Sequence, residues 1–160
     1  MTSRLMLRQN RVSEVTRRAL VDELALGGWN WSGRLSEPDF LGRVFDLQSM
    51  PSNDRRVANA ADDIYLHRVN FLDWEDDWIF TDSRFDLLRA PDETVLKFLT
   101  EMVHPAVRRE TDEILKLVAL VNRHLGVDGY QLIQVNEISG RPVFGPSQLN
   151  IASPSAPAEP

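Results

Sequence analysis

Two apolar stripes at helical spacing, in residues 92–103 and 111–125, constrain the fold of this chain most strongly. In each, apolar side chains recur at positions i, i+3, i+4 and i+7, which is the spacing of one helix face. The proline after His104 ends the first helix, because proline lacks an amide donor and clashes with the preceding turn. Gly126 ends the second helix. Both apolar faces need a core to cover them, so the sequence predicts a mainly helical globular domain.

Three more helices are predicted nearer the N-terminus, each from a capping side chain followed by apolar residues at helical spacing. The second also has proline and acidic residues in its first turn, which strengthens its start signal. The predicted caps and extents are Ser13 with residues 14–26, Ser36 with residues 37–47, and Ser52 or Asn53 with a helix that frays near residue 70. Residues 71–89 lack helical periodicity and are expected to form a packed loop with a short helix.

The C-terminal residues predict a β-hairpin and then a tail. Strand-type residues run over 130–135, and Ser139-Gly140 favours a reversal into residues 141–144. The fold class is therefore mainly α, with an α+β character: about five helices around one core and a C-terminal β-hairpin. The expected organisation is a flexible basic N-terminus over residues 1–12, one globular domain over 13–144 and a disordered, linker-like Pro/Ala/Ser tail over 145–160.

The composition limits the cellular compartment and the kinds of partner that we expect for this chain. The chain has no cysteine, which excludes disulfides, thiolate metal sites and a cysteine nucleophile. Its longest apolar run, residues 117–121, is too short to span a membrane, and residues 1–10 lack the apolar centre of a signal peptide. We therefore expect a cytoplasmic protein without a membrane partner. Residues 62–93 carry ten acidic residues against three arginines and repel phosphate, so nucleic acid is not an expected partner.

The acidic segment Asp73–Arg84, which contains two tryptophans, is the most distinctive stretch and allows three interpretations. Its aspartates suit a Ca²⁺ or Mg²⁺ site, although the glycine and the terminal glutamate of an EF-hand loop are missing. Tryptophans beside acids also suit recognition of a partner protein. The interpretation we favour is a cluster of ion pairs across a packed aromatic layer, in which the acids are neutralised by Arg55, Arg56, Arg68 or Arg84.

Two histidines are candidates for a site. Asp63 and His67 are four residues apart and share one helix face, as metal ligands or an acid–base pair would, although an ordinary structural contact has the same spacing. His104 lies at a predicted helix end, where histidine meets exposed carbonyl groups. The candidate recognition and structural network comprises Asp63, His67, Arg68, Asp73, Trp74, Asp77, Trp78, Asp82, Arg84, His104 and Arg108.

The sequence contains no motif of self-sufficient catalysis. A P-loop, a G-x-S-x-G elbow and an H-E-x-x-H zinc motif are all absent. The arginine–histidine motif typical of HEPN ribonucleases is absent as well. Arg56 precedes His67 by eleven residues, which is too far for that motif. We therefore expect neither an enzyme nor a bound cofactor.

A series of short motifs spans most of the chain in a fixed order. They are Phe40-Leu41-Gly42-Arg43, Pro51-Ser52-Asn53-Asp54-Arg55, Asp63-Ile64 with His67-Arg68, Asp73-Trp74 with Asp77-Trp78, Asp82 with Arg84-Phe85, Phe98-Leu99 through His104-Pro105 to Val107-Arg108, Asp128-Gly129-Tyr130, and Ile138 to Pro142. Together they resemble the AbiJ-type N-terminal domain of bacterial abortive-infection and related antiphage proteins. The resemblance covers residues 12–144. It implies an accessory domain ahead of an effector of the HEPN or TIR type, which senses or regulates rather than catalyses.

The leading hypothesis is a non-catalytic regulatory or recognition domain, with the acidic segment and His67-Arg68 as its functional face. The implied partners are an effector domain or protein and a phage-derived trigger, and an oligomer is compatible with this role. Two alternatives come from other classes: a small metal-dependent hydrolase or nuclease that uses His67, His104 and nearby acids, and a helix-turn-helix-like module that binds nucleic acid.

Overall fold

The computed structural model describes residues 10–149 and contains six α-helices followed by an antiparallel hairpin. The helices are α1 (Glu14–Leu26), α2 (Glu37–Leu41), α3 (Ala60–Tyr65), α4 (Trp78–Thr81), α5 (Asp92–Met102) and α6 (Thr111–Leu125), and the strands are β1 (Tyr130–Ile138) and β2 (Arg141–Gln148). Short 3₁₀ turns occupy Leu47–Ser49 and Gly126–Asp128. The predicted mainly helical fold with a C-terminal hairpin is thus confirmed. No helix within residues 10–149 has the length and apolarity to cross a bilayer.

One core joins these elements. Helix α1 packs on α6, α6 packs on β1, and α5 packs on β2. Aromatic rings fill the centre, where Trp31, Phe40 and Phe98 pack against one another with centroids 5.3 to 5.8 Å apart. Phe40 and Phe98 are at most 1% exposed. Burying a side chain of this size contributes about 1.5–3 kcal/mol to stability relative to leaving it exposed.

The local signals explain why three helices follow the sequence prediction. Helix α1 starts after Ser13, whose hydroxyl oxygen accepts a hydrogen bond from the amide of Thr16 (3.1 Å). Such a cap contributes about 1 kcal/mol. Helices α5 and α6 start with acidic first turns, which suit the positive end of the helix dipole. Helices α5 and α6 each also bury one apolar face, as their periodicity predicts.

The second and third helices differ from the prediction. Helix α2 ends at Leu41 instead of continuing to Leu47, since the chain turns after Gly42. A helix this short also gives little support to a helix-turn-helix module. Helix α3 starts after Asn59, and the prediction of a cap at Ser52 or Asn53 is wrong. Ser52 forms a local turn instead: its hydroxyl oxygen accepts a hydrogen bond from the amide of Asp54 (2.8 Å).

The predicted flexible N-terminus is wrong at its last residues. Val12 is 2% exposed and belongs to the core. The side-chain amide of Asn10 donates hydrogen bonds to the carbonyl oxygens of Arg89 and Ala90 (3.2 and 3.1 Å). These contacts fasten residues 10–12 to the segment before α5. The remainder of that predicted terminus, residues 1–9, lies outside the described residues.

The predicted start of the tail at residue 145 is also wrong, because β2 continues to Gln148. Gly145 pairs with Ile133, and Pro146 pairs with Leu132. A proline is tolerated there, because a two-stranded hairpin has only edge strands, and one side of each needs no donor. The rest of the predicted tail, residues 150–160, lies outside the described residues.

Candidate functional site

The candidate site begins with α3 and the turn that extends it. Asn59 caps α3, because its side-chain oxygen accepts a hydrogen bond from the amide of Asp62 (3.0 Å). After Tyr65 the helix widens into a π-helical turn over Leu66–Asn70, a distortion that is frequent at functional sites. Asp63 and His67 lie on one side of this helix and line the same cleft.

His67 joins three parts of the chain. Its Nδ1 lies 2.7 Å from Asp73 Oδ1, in the loop after the π-helical turn. Its Nε2 lies 2.8 Å from Asp54 Oδ2, in the loop before α3. The indole of Trp74 stacks on the imidazole with centroids 4.8 Å apart and an angle of 9° between the planes. His67 therefore fixes both loops relative to the helix that carries it.

The electrostatics of the site favour a charged imidazole. Burial alone would lower the pKa of His67, but hydrogen bonds with Asp73 and Asp54 outweigh it, so the pKa of His67 lies above its ordinary value of 6.5. Arg56, and after it His67, hold the pKa of Asp54 well below its ordinary value of 3.8. The raised pKa of His67 and the lowered pKa of Asp54 both fit an imidazolium that lies between two carboxylates.

The carboxylate of Asp63 is fully buried, and only one of its two oxygens has hydrogen-bond partners. Its Oδ2 accepts hydrogen bonds from Arg84 Nη1 (2.8 Å) and from the amide of Asn53 (3.1 Å). Its Oδ1 has no hydrogen-bond partner within the described part of the chain. The nearest histidine nitrogen to this oxygen is His67 Nε2, at 3.8 Å. A buried, unpartnered carboxylate oxygen is costly and calls for an explanation.

Arg84 ties the acidic segment to this buried carboxylate. Its guanidinium binds Asp82 through two nearly parallel hydrogen bonds (3.0 and 2.7 Å) and also donates to the carbonyl oxygen of Pro51 (3.0 Å). The same group lies over the rings of Trp74 and Phe85, 6.0 and 5.5 Å from their centroids. Asp82, which lines the cleft, and Arg84 are thus structural partners.

A second cluster forms around Arg68. Its guanidinium binds both oxygens of Glu37 (2.6 and 2.9 Å) and donates to the carbonyl oxygen of Trp74 (2.7 Å). The indole nitrogen of Trp78 donates to the same carboxylate (2.9 Å). Arg68 also pairs with Asp76, whose side chain is fully exposed. This cluster anchors the start of the acidic segment to α2.

The cleft beside His67 is open, acidic and about 620 Å³ in volume. Its walls carry six carboxylates, and neither lysine nor arginine is among its lining residues in the described structure. The carboxylates belong to Asp54, Asp63, Asp73, Glu75, Asp77 and Asp82. Such a cleft suits a cation or a hydrogen-bond donor and repels phosphate groups. His67 is a poor free base here, because both of its nitrogens already face carboxylates.

A comparison with protein families decides the family. The model for AbiJ N-terminal domain 3 matches residues 11–146. The chain belongs to this AbiJ N-terminal domain family. Its membership associates it with abortive infection, a form of antiphage defence. No curated protein and no solved structure matches the chain.

In this AbiJ N-terminal domain, two of the candidate residues neither line the cleft nor share a hydrogen bond with a residue that lines it. His104 is not among the residues that line it; its Nδ1 accepts a hydrogen bond from the amide of Ala106 (2.9 Å). Burial and the nearby Arg43 lower the pKa of His104 below its ordinary value. Arg108 is 2% exposed and binds the carbonyl oxygens of Met102 and Asn30. The structure therefore does not place both histidines in one site, as the hydrolase alternative requires.

Sequence reasoning missed two residues of the AbiJ N-terminal domain's site. Asp54 contacts His67 directly, and it lies within one of the family-like motifs, which was the available signal. Glu37 pairs with Arg68 and Trp78, but in the sequence it looks like an ordinary acid in a first helical turn. No sequence signal indicated the pair between Glu37 and Arg68, because 31 residues separate them.

Proposed function

We propose that this chain is a non-catalytic regulatory domain of a cytoplasmic bacterial antiphage system, and that its cleft around His67 controls an effector. The observation that carries the proposal is the position of His67, which holds Asp54 on one loop, Asp73 on another and the ring of Trp74. A change at one side chain would therefore alter the arrangement of three segments.

The pairing of charges supports regulation over catalysis. Asp73, Asp82, Arg68 and Arg84 are all engaged with protein groups. A catalytic acid or base must reach the proton that it transfers in a bound substrate, directly or through one water. Groups already committed to one another are suited instead to holding a conformation that a ligand or a partner can shift.

A chain of aromatic contacts offers a route from the cleft to the hairpin. Trp74 packs on Trp78, Trp78 on Trp31 and Trp31 on Phe98, with centroids 4.8, 6.3 and 5.8 Å apart. Phe98 lies on α5, which packs on β2. We propose that a change around His67 passes along these rings to the C-terminal hairpin and from there to the effector.

Protection against phages tests this proposal. We expect His67→Gln, made in the native gene and its surrounding locus, to abolish or strongly reduce protection, because glutamine cannot bridge two carboxylates as an imidazolium does. His124→Gln is the matched control, because His124 pairs with Glu23, and neither residue lines the cleft. Plaque counts measure protection, and immunoblotting checks that both variants accumulate. Full protection by a stable His67→Gln protein would contradict the proposal.

A further inference from the structure

We propose that Asp54, Asp63 and His67 form a binding site for one divalent transition-metal cation, such as Zn²⁺ or Mn²⁺. Each offers one ligand atom, and the three atoms lie within 4.8 Å of one another. The inference rests on the proposed function, because it names the ligand of the same cleft.

The orphaned oxygen of Asp63 is the independent sign of a missing partner. This side chain is 0% exposed, and its Oδ1 receives no hydrogen bond within residues 10–149. The other oxygen is fixed by Arg84 and Asn53, which leaves Oδ1 on the side of His67 Nε2. A cation between these two atoms would satisfy the oxygen without moving the arginine.

The distances suit a small cation. Ligand atoms about 2.1 Å from a tetrahedral cation lie about 3.4 Å from one another. His67 Nε2 lies 2.8 Å from Asp54 Oδ2 and 3.8 Å from Asp63 Oδ1, values on either side of that spacing. The ligand atoms of Asp54 and Asp63 lie within 4.8 Å of each other, so the two carboxylates would have to draw closer around the cation to complete the coordination geometry. On binding, the cation takes the place of the proton on Nε2, which is released to solvent.

Each ligand has a partner that orients it, and for His67 and Asp63 that partner binds the polar atom that does not face the cation. Asp73 lies 2.7 Å from His67 Nδ1 and holds the proton there, which leaves the Nε2 lone pair for the cation. Arg84 fixes Asp63 through Oδ2. Arg56 holds Asp54 through both oxygens: its amide and Nε donate to Oδ1 (2.9 and 3.0 Å), and its Nη2 donates to Oδ2 (2.7 Å). The cation would take the lone pair of Oδ2 that faces His67 Nε2. Such carboxylate–histidine and carboxylate–arginine contacts are the usual support around a metal centre.

The ligand set selects the class of cation. Two carboxylates and one imidazole suit Zn²⁺, Mn²⁺ or Fe²⁺, whereas Ca²⁺ takes six to eight oxygen ligands. The acidic walls attract cations, and the open side of the cleft leaves room for water molecules to complete the coordination. The alternative is that the cleft holds no metal ion, and that His67 is an imidazolium whose two N–H groups donate to Asp54 and Asp73.

Isothermal titration calorimetry tests the inference on the full chain, treated with a chelator and then titrated with ZnCl₂ or MnCl₂. We expect saturable binding of one ion. His67→Gln removes a ligand and should weaken binding by about a hundredfold, and Asp73→Asn removes only the orienting carboxylate and should weaken it by about tenfold. His124→Gln should bind like the wild type. Circular dichroism checks folding; Asp73, which is half exposed, provides the variant that keeps the fold if His67→Gln does not.

The outcomes separate the two proposals. Absence of saturable binding, or equal loss in the His67 and His124 variants, overturns the metal site, even if His67→Gln still abolishes phage protection. One-ion binding that His67→Gln removes supports the metal site, even if protection is unaffected and the regulatory role falls.

Discussion

At the scale of single residues, one buried arginine neutralises two buried acids that line the cleft. The side chain of Arg84 is 6% exposed and those of Asp63 and Asp82 are 0% and 9% exposed, so water screens their attraction little. The same arginine also closes the loop that contains Pro51. Removing its charge therefore leaves two acids without their main partner.

We predict that Arg84→Met lowers the free energy of unfolding by about 3–5 kcal/mol, because it leaves a buried carboxylate uncompensated. Urea denaturation measures the change. Arg56→Met is the control, since the side chain of Arg56 is 62% exposed and water screens its pair with Asp54, so its loss should change the stability much less. Equal losses in the two variants would contradict the assignment of Arg84 as the central ion pair.

At the scale of elements, a salt-bridge cluster ties α1 to α6. Glu23 accepts hydrogen bonds from Arg123 (2.6 Å) and lies 2.7 Å from Nε2 of His124. Hydrogen bonds from Arg123 and then His124 lower the pKa of Glu23 from 4.5 to about 2. A carboxylate whose pKa is lowered by folding stabilises the protein above its unfolded pKa and loses that effect as the pH falls.

We therefore predict that the stability advantage of the wild type over Glu23→Gln is present at neutral pH and decreases as the pH falls from about 4.5 towards about 2. Thermal unfolding of both proteins across this range measures it. Asp22→Asn, on an exposed neighbour in α1, controls for the change in net charge. An advantage that stays constant down to pH 2 would show that the cluster contributes nothing through ionisation.

The elements also show where the sequence is informative. Helices α1, α5 and α6 could be predicted because their caps and apolar periodicity agree. The start of α3 could not, because Ser52 and Asn59 are both good caps and only the tertiary contacts of the loop choose between them. The site could be predicted only in part, because tertiary contacts also decide which side chains meet there. Asp63 and His67 are close in sequence, whereas Glu37 and Pro51, which bind Arg68 and Arg84, come from distant segments.

At the scale of the whole molecule, six carboxylates line the cleft, and a line of packed rings leads from Trp74 in the cleft to Phe98 on α5, the helix that packs on β2. Control of an effector through the hairpin requires the cleft and the hairpin to be coupled. If they are, loosening the contact between His67 and Asp73 must alter the hairpin as well as the nearby loop.

Amide hydrogen exchange tests that coupling most directly. We predict that Asp73→Asn, which removes the carboxylate from His67 Nδ1, speeds exchange both in residues 71–77 and in β2, relative to the wild type and to Asp22→Asn. Mass spectrometry of peptic fragments measures both regions in one experiment. Faster exchange in residues 71–77 with no change in β2 would contradict the claim that the His67 cleft controls the rest of the molecule.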